Sequence, residues 1–254
     1  LKVINNKILL IDNDNSLWCF SAKDGLKLWK FRTQANLIKP LKKLSLVVYK
    51  DSLIFSNSIG DVSKVDLETG SLIWQIPTQS TLVRKEIDFL KISDVVLYKN
   101  SIFLSNNNNN FYSLDASSGI INWVQNVNSF LRPIIIDELI FTISNKGYLV
   151  VIDTRTGEII RITDLSISFK KKNKKKFSLV KTIFLGKQSS EVKKTDAIQG
   201  FVIASNKLYI TTAKGKLMVY SILDGQIDQV LKVGSSKLSE PFISNNNLYI
   251  FRDN

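Results

Sequence analysis

The sequence predicts an all-β protein, a β-propeller of four-stranded antiparallel blades. Three observations carry that prediction. A short turn phrase recurs five times, a pair of short apolar runs precedes each later copy, and the copies repeat at about the length of one blade. The clearest copies are Val65-Asp66-Leu67-Glu68-Thr69-Gly70-Ser71-Leu72-Ile73-Trp74 and Leu114-Asp115-Ala116-Ser117-Ser118-Gly119-Ile120-Ile121-Asn122-Trp123. A looser one runs from Phe20 through Ser21 and Gly25 to Trp29, with Ser21 in the Asp place. The fourth, Ile152-Asp153-Thr154-Arg155-Thr156-Gly157, has Arg161 where Trp is due. The fifth, Tyr220-Ser221-Ile222-Leu223-Asp224-Gly225, has Gln229 there.

Each phrase reads as strand, tight turn, strand. The glycine falls where the chain needs a positive φ, and the Asp carboxylate accepts hydrogen bonds from turn amides. The Trp, four residues beyond the glycine, lies in the second strand and is large enough to fill the gap to a neighbouring sheet. Upstream lie two more strands per copy: Ser45–Tyr49 and Leu53–Ser56, Val95–Tyr98 and Ile102–Ser105, Pro133–Ile136 and Leu139–Ile143, Phe201–Ala204 and Leu208–Thr212. They are short, apolar and β-branched, bounded by Asn, Asp and Lys, as antiparallel hairpin strands are. Gly25, Gly70, Gly119, Gly157 and Gly225 stand 45, 49, 38 and 68 residues apart. The long last interval is assigned to a basic loop, residues 166–199, inserted between blades four and five.

The phrase Asp-x-x-Thr-Gly-x-x-x-Trp, following a strand of aromatic and apolar alternation, resembles the PQQ-like β-propeller repeat family. That repeat builds quinoprotein alcohol dehydrogenases, the BamB-type lipoproteins of outer-membrane barrel assembly, and sensor propellers. The resemblance covers nearly the whole chain except the insertion. It implies that the repeated Asp66, Gly70, Trp74, Asp115, Gly119, Trp123, Gly25, Trp29, Asp153, Gly157 and Gly225 are structural. Residues 1–254 are read as one propeller domain, five blades and the first two strands of a sixth, Pro241–Ile243 and Leu248–Phe251. Because a propeller closes its ring and BamB-like relatives carry about eight blades, the expectation is a fragment of an about eight-bladed ring, with a closed six-bladed ring as the alternative.

Composition bounds the function. The chain has 254 residues, 44% of them hydrophobic, no histidine and one cysteine. Without histidine, Ser-His-Asp and Cys-His catalysis and histidine-ligated metals are excluded within these residues. No Gly-rich phosphate loop stands between a strand and a helix, and no apolar run reaches the ~18 residues of a membrane helix. Leu82–Ile92 is the best helical candidate, or else a loop. Cys19, alone, forms no internal disulfide and reads as a core strand residue. Asp12-Asn13-Asp14-Asn15 could offer oxygen ligands to Ca²⁺, but without the Gly and Glu of an EF-hand it reads as a hairpin turn. Trp18 could stack on a planar ligand; its alternation favours core or inter-blade packing.

The net charge is +13. Its local source is Lys170, Lys171, Lys172, Lys174, Lys175 and Lys176, in the insertion. These form a candidate interaction loop touching an anionic membrane surface, or else a solvated arm. Too few aromatics interleave them for nucleic-acid binding. Quinoprotein chemistry needs a quinone, Ca²⁺ ligands and often a vicinal Cys pair, and no such constellation is legible. No cofactor is therefore expected. The resemblance implies a non-catalytic periplasmic scaffold, anchored at the outer membrane, that binds protein partners of the barrel-assembly machinery. A quinoprotein dehydrogenase fragment and an extracytoplasmic sensor propeller are the alternatives.

Overall fold

The computed structural model describes residues 1–33, 44–78, 91–106, 108–165 and 196–253. Among them every regular element is a strand. The first sheet holds β1 (Lys2–Ile4), β2 (Lys7–Ile11), β3 (Ser16–Ser21) and β4 (Lys27–Arg32). The second holds β5 (Leu46–Tyr49), β6 (Ser52–Ser56), β7 (Asp61–Asp66) and β8 (Leu72–Pro77). The third holds β9 (Val96–Tyr98), β10 (Ser101–Ser105), β11 (Phe111–Asp115) and β12 (Ile121–Gln125). The fourth holds β13 (Ile134–Ile136), β14 (Leu139–Ile143), β15 (Tyr148–Asp153) and β16 (Ile159–Asp164). The fifth holds β17 (Ile198–Ala204), β18 (Lys207–Thr212), β19 (Lys216–Ser221) and β20 (Gln226–Lys232). A two-stranded hairpin, β21 (Phe242–Ser244) and β22 (Asn247–Tyr249), follows. Each four-stranded sheet is a meander in chain order, as a propeller blade is.

The turns explain the meander. Between the first two strands of each blade the chain turns on two residues, and the first of these has positive φ: Asn5, Lys50, Lys99, Asp137 and Ser205. Between the second and third strands it turns on a short loop with a left-handed residue at or next to its end: Asn15, Gly60, Asn109, Gly147 and Gly215. Left-handed positions favour Gly and Asn over other residues. The many asparagines of this chain thus have a conformational use at these turns.

The described residues fall into two compact units. One comprises 1–145 and 150–162, the other 146–149 and 163–253. In the first unit neighbouring sheets pack face on face. Leu9, Leu17 and Cys19 of the first sheet meet Leu53, Phe55 and Val65 of the second. Ile54 and Val62 meet Ile102, Leu104, Tyr112 and Leu114. Phe103 and Phe111 meet Ile140, Val150 and Ile152. A fully buried side chain of this size contributes about 1.5–3 kcal/mol and a surface ion pair about 0–1 kcal/mol, so the sheet faces hold these blades together. In the second unit Leu208, Ile210, Met218 and Tyr220 form the buried face of the fifth sheet. β17 begins at Ile198, inside the segment expected to be insertion. Buried Asp196 accepts hydrogen bonds from Thr212 Oγ1 at 3.0 Å and the Lys214 amide at 2.9 Å, anchoring the entry to that strand. The helical candidate at Leu82–Ile92 lies, apart from its last residues, outside the described residues.

Candidate interaction surface

The turn phrase has one geometry in all five copies. The glycine amide donates to the carbonyl of the Asp (or Ser) that opens the phrase, as in Gly70 to Asp66 and Gly225 to Ser221, both at 3.0 Å. Asp66 Oδ1 accepts from the amides of Glu68 at 2.9 Å and Thr69 at 2.7 Å. Asp153 Oδ1 accepts from Arg155 and Thr156 in the same way. Asp115 Oδ1 accepts from the amides and hydroxyls of both Ser117 and Ser118. These donors, the Ser117 hydroxyl foremost, bring the Asp115 carboxyl down to about 2. A second stitch joins the two turns at this end of each blade. Leu67 N donates to Asp51 O, Ala116 N to Asn100 O and Thr154 N to Glu138 O.

The tryptophans lie between blades. A Cβ added at Gly70 would come within 2.6 Å of the Trp29 ring, one at Gly119 within 2.8 Å of Trp74, and one at Gly157 within 2.6 Å of Trp123. Each indole N–H also donates to a carbonyl of the turn it covers. Trp29 reaches Leu67 O at 3.2 Å, Trp74 reaches Ser117 O at 3.0 Å and Trp123 reaches Thr154 O at 3.1 Å. Each glycine therefore serves both its own turn and the ring of the preceding blade. The residue types do not announce a further device: in blades one, two, three and five the third-to-fourth strand ladder carries a β-bulge one residue before the Trp place, at Leu28, Ile73, Asn122 and Asp228. A bulge re-aims the residues beside it, and its only sequence signal is the fixed distance from Gly to Trp.

The remaining single residues resolve as follows. Cys19 is fully buried among Leu9, Leu17 and Trp29, and burial pushes its thiol up. Asp12 closes a hairpin turn, accepting from the amides of Asp14 and Ser16 and from Trp18 Nε1 at 2.6 Å. Of the two placements expected for Trp18, core or inter-blade, the core is not the one observed. Trp18 is half-buried, stacks on Phe20, and carries Lys30 Nζ 3.8 Å from its ring centroid. Strand alternation sends Leu17 and Cys19 to the packed face and Trp18 to the other. The loop lysines Lys170–Lys176 lie outside the described residues. Among the described residues no three of His, Cys, Asp and Glu group as metal ligands, and no helix is long and apolar enough to cross a membrane.

Two surface features of the blades remain. The fourth strand of every four-stranded sheet is one of its two edges and shows large apolar side chains outward. These are Leu28 on β4, Leu72 and Ile73 on β8, Ile121 and Val124 on β12, Ile160 and Ile162 on β16, and Val230 and Leu231 on β20. Ile73 is 50% and Ile160 57% exposed. Between the third and fourth blades lies a half-open cavity of about 350 Å³, lined by Tyr98, Lys99, Ser101, Phe103, Asn122, Glu138, Thr154 and Arg155. In it Glu138 binds Lys99 through one carboxylate oxygen and accepts from Thr154 Oγ1 at 2.9 Å through the other. The Lys99 contact holds the Glu138 carboxyl below its ordinary value.

Comparison with known proteins gives this architecture its relatives. BamB from Moraxella catarrhalis superposes with a TM-score of 0.73 at 15% identity, over 98% of this chain and 67% of that one. Quinohemoprotein alcohol dehydrogenase ADHIIG from Pseudomonas putida HK5 superposes with a TM-score of 0.67 at 11% identity, over 91% of this chain and 41% of that one. At such identities the likeness establishes the fold, a propeller, and nothing of the chemistry. No curated protein sequence matches the chain. The family described as outer membrane protein assembly factor BamB matches residues 1–163, more than half of the sequence, and the chain belongs to that family.

Proposed function

We propose that the chain is a non-catalytic scaffold at the outer membrane, facing the periplasm, that holds protein partners of the barrel-assembly machinery while outer-membrane β-barrels are built. One observation carries the reading beyond family membership: the row of edge strands with exposed apolar side chains. An edge strand offers unpaired backbone N–H and C=O groups, and apolar side chains beside them add side-chain contact to main-chain pairing. A surface of that kind fits an extended partner segment. The conspicuous repeat residues are meanwhile engaged in turn and inter-blade contacts, consistent with a structural use for them.

The test is a binding titration of the full chain against the purified periplasmic domains of the barrel-assembly protein, and against an unfolded outer-membrane barrel protein. Ile73→Asp and Val124→Asp place charge on two edges without touching the packed faces. The reading expects each to weaken binding about tenfold, about 1.4 kcal/mol, with melting unchanged. Wild-type affinity in both variants would remove the edges from the reading; no binding to either partner would remove the scaffold. Deleting Lys170–Lys176 measures separately what the basic loop contributes.

A further inference from the structure

The three blade interfaces of the first unit are copies of one another, and the third holds the cavity. In the first, Lys7 opens the second strand and its Nζ reaches Glu68 Oε1 of the next blade at 2.6 Å, with the side chain largely covered. In the second, Lys64 lies two residues before the Asp of the turn. Its Nζ donates to Ser117 O of the next blade at 3.3 Å and sits 4.8 Å from the Tyr49 ring centroid. Each interface therefore seats one lysine ammonium at the foot of the Trp contact.

In the third interface both positions are serine. Ser101 stands where Lys7 stands, opening its second strand, and Ser113 stands where Lys64 stands, opposite the Trp. The groups that surround the Lys64 ammonium nevertheless have counterparts. Tyr98 takes the place of Tyr49, Lys99 of Lys50, Arg155 of Ser117 and Asp153 of Asp115. Glu138 replaces Asn100 and adds a carboxylate. The floor is Phe103, almost fully buried.

We propose that this cavity is a binding site for a primary ammonium group from outside the chain, seated against the Tyr98 face and the Glu138 carboxylate where the sister interfaces seat their own lysines. An ammonium so placed gains a cation–π contact and a charge-assisted hydrogen bond. Lys99 does not bar it. Lys99 Nζ itself lies 5.2 Å from the Tyr98 ring centroid and pairs with Glu138, but its side chain is exposed, where an ion pair holds weakly. In the occupied interface Lys50 Nζ likewise lies 5.1 Å from the Tyr49 ring centroid while Lys64 shares that ring. An anion is the poorer fit, because it would face the Glu138 carboxylate. The ammonium comes either from a lysine side chain of a protein or from a free small amine. The site does not depend on the scaffold reading.

The experiment is an amide NMR titration of the full chain with Nα-acetyl-lysine methylamide, 1,5-diaminopentane and Nα-acetyl-glutamate methylamide. Saturable shifts at Ser101, the Asn122 side-chain amide and Thr154, with a midpoint of about 1–10 mM, are expected for an amine. Response to the lysine amide assigns the source to a protein side chain, and response to the diamine alone to a small amine. Ser113→Lys restores the missing lysine and is expected to weaken amine binding at least about tenfold. It should also melt higher than Ser113→Glu and Ser113→Met, a readout free of any added ligand. Shifts from the glutamate amide alone, no shift from either amine at about 50 mM, or a higher melt for Ser113→Glu would each overturn the proposal.

Discussion

Neighbouring sheets meet in two different ways in this chain. In the first unit a tryptophan ring lies flat on a turn glycine of the next blade: Trp29 on Gly70, Trp74 on Gly119, Trp123 on Gly157. In the second unit the fifth sheet meets the segment that leads to the last hairpin by close backbone approach. A Cβ at Gly200 would lie 2.6 Å from Glu240 Cγ, 2.8 Å from its Cβ and 2.9 Å from its Cα, and Thr211 Oγ1 donates to Ser239 O at 2.7 Å. Gln229 takes the Trp place there and pairs with Val219, in the register that sets Trp29 against Cys19. One joint uses side-chain volume, the other its absence. A large ring tolerates drift in its surroundings because it spans the gap. A backbone contact requires that nothing be there at all.

That comparison can be broken experimentally. Trp29 is almost fully buried, so Trp29→Ala should cost about 3–5 kcal/mol in denaturant unfolding. A loss below about 1 kcal/mol would mean the ring is not what joins the first two blades. Gly200→Ala places a methyl against the Cγ, Cβ and Cα of Glu240 and should cost about 1–3 kcal/mol as overpacking, while Gln229→Ala on the same sheet should be near neutral. A neutral Gly200→Ala would show that the segment can stand off, and that the second joint is loose.

A finer contrast uses two glycines at the same place in successive turn phrases. Gly25 and Gly70 have nearly equal φ, 74° and 71°, but nothing lies within 4 Å of an added Cβ at Gly25, whereas Trp29 covers Gly70. Gly25→Ala should cost only the left-handed backbone term, about 1 kcal/mol. Gly70→Ala should add about 1–3 kcal/mol of overpacking. In the Trp29→Ala background that excess should vanish, because a double-mutant cycle isolates the shared contact. Equal costs for the two glycines would leave the ring contact without energetic weight.

The smallest expected effect is electrostatic. Hydrogen bonds from Ser117 and Ser118 depress the folded Asp115 carboxyl to about 2, below the ~3.9 of an unfolded chain. A depressed carboxyl adds stability that is fully present above about pH 4 and is lost as pH falls through the folded value. Asp115→Asn should cost about 1 kcal/mol at neutral pH after solvent screening. The gap to wild type should close between about pH 4 and pH 2; a gap independent of pH would assign the loss to turn geometry instead of charge.

Much of the fold was legible because the repeat places its signals at fixed offsets. The Asp, Gly and Trp of the phrase mark a turn and a strand, and the paired apolar runs mark the two strands before it. Their observed limits, such as Ser52–Ser56 against the expected Leu53–Ser56, differ by a residue or two, and by three at the start of β17. The bulge residues Leu28, Ile73, Asn122 and Asp228 were not legible, since they share no side-chain type. Nor was Trp18's outward placement, because alternation within a strand does not say which of its two faces is packed.

The candidate surface divides along the same line. The sequence by itself determined the all-β class, the five turn phrases and the residues held left-handed within them, because those follow from local backbone sterics and hydrogen bonding over a few residues. Only the tertiary structure decided that each Trp covers a glycine of the following blade, or that Ser101, Tyr98 and Glu138 line a cavity beside the third of these contacts. Those groups lie up to 40 residues apart in the chain. They meet through the stacking of whole sheets, which no local rule specifies.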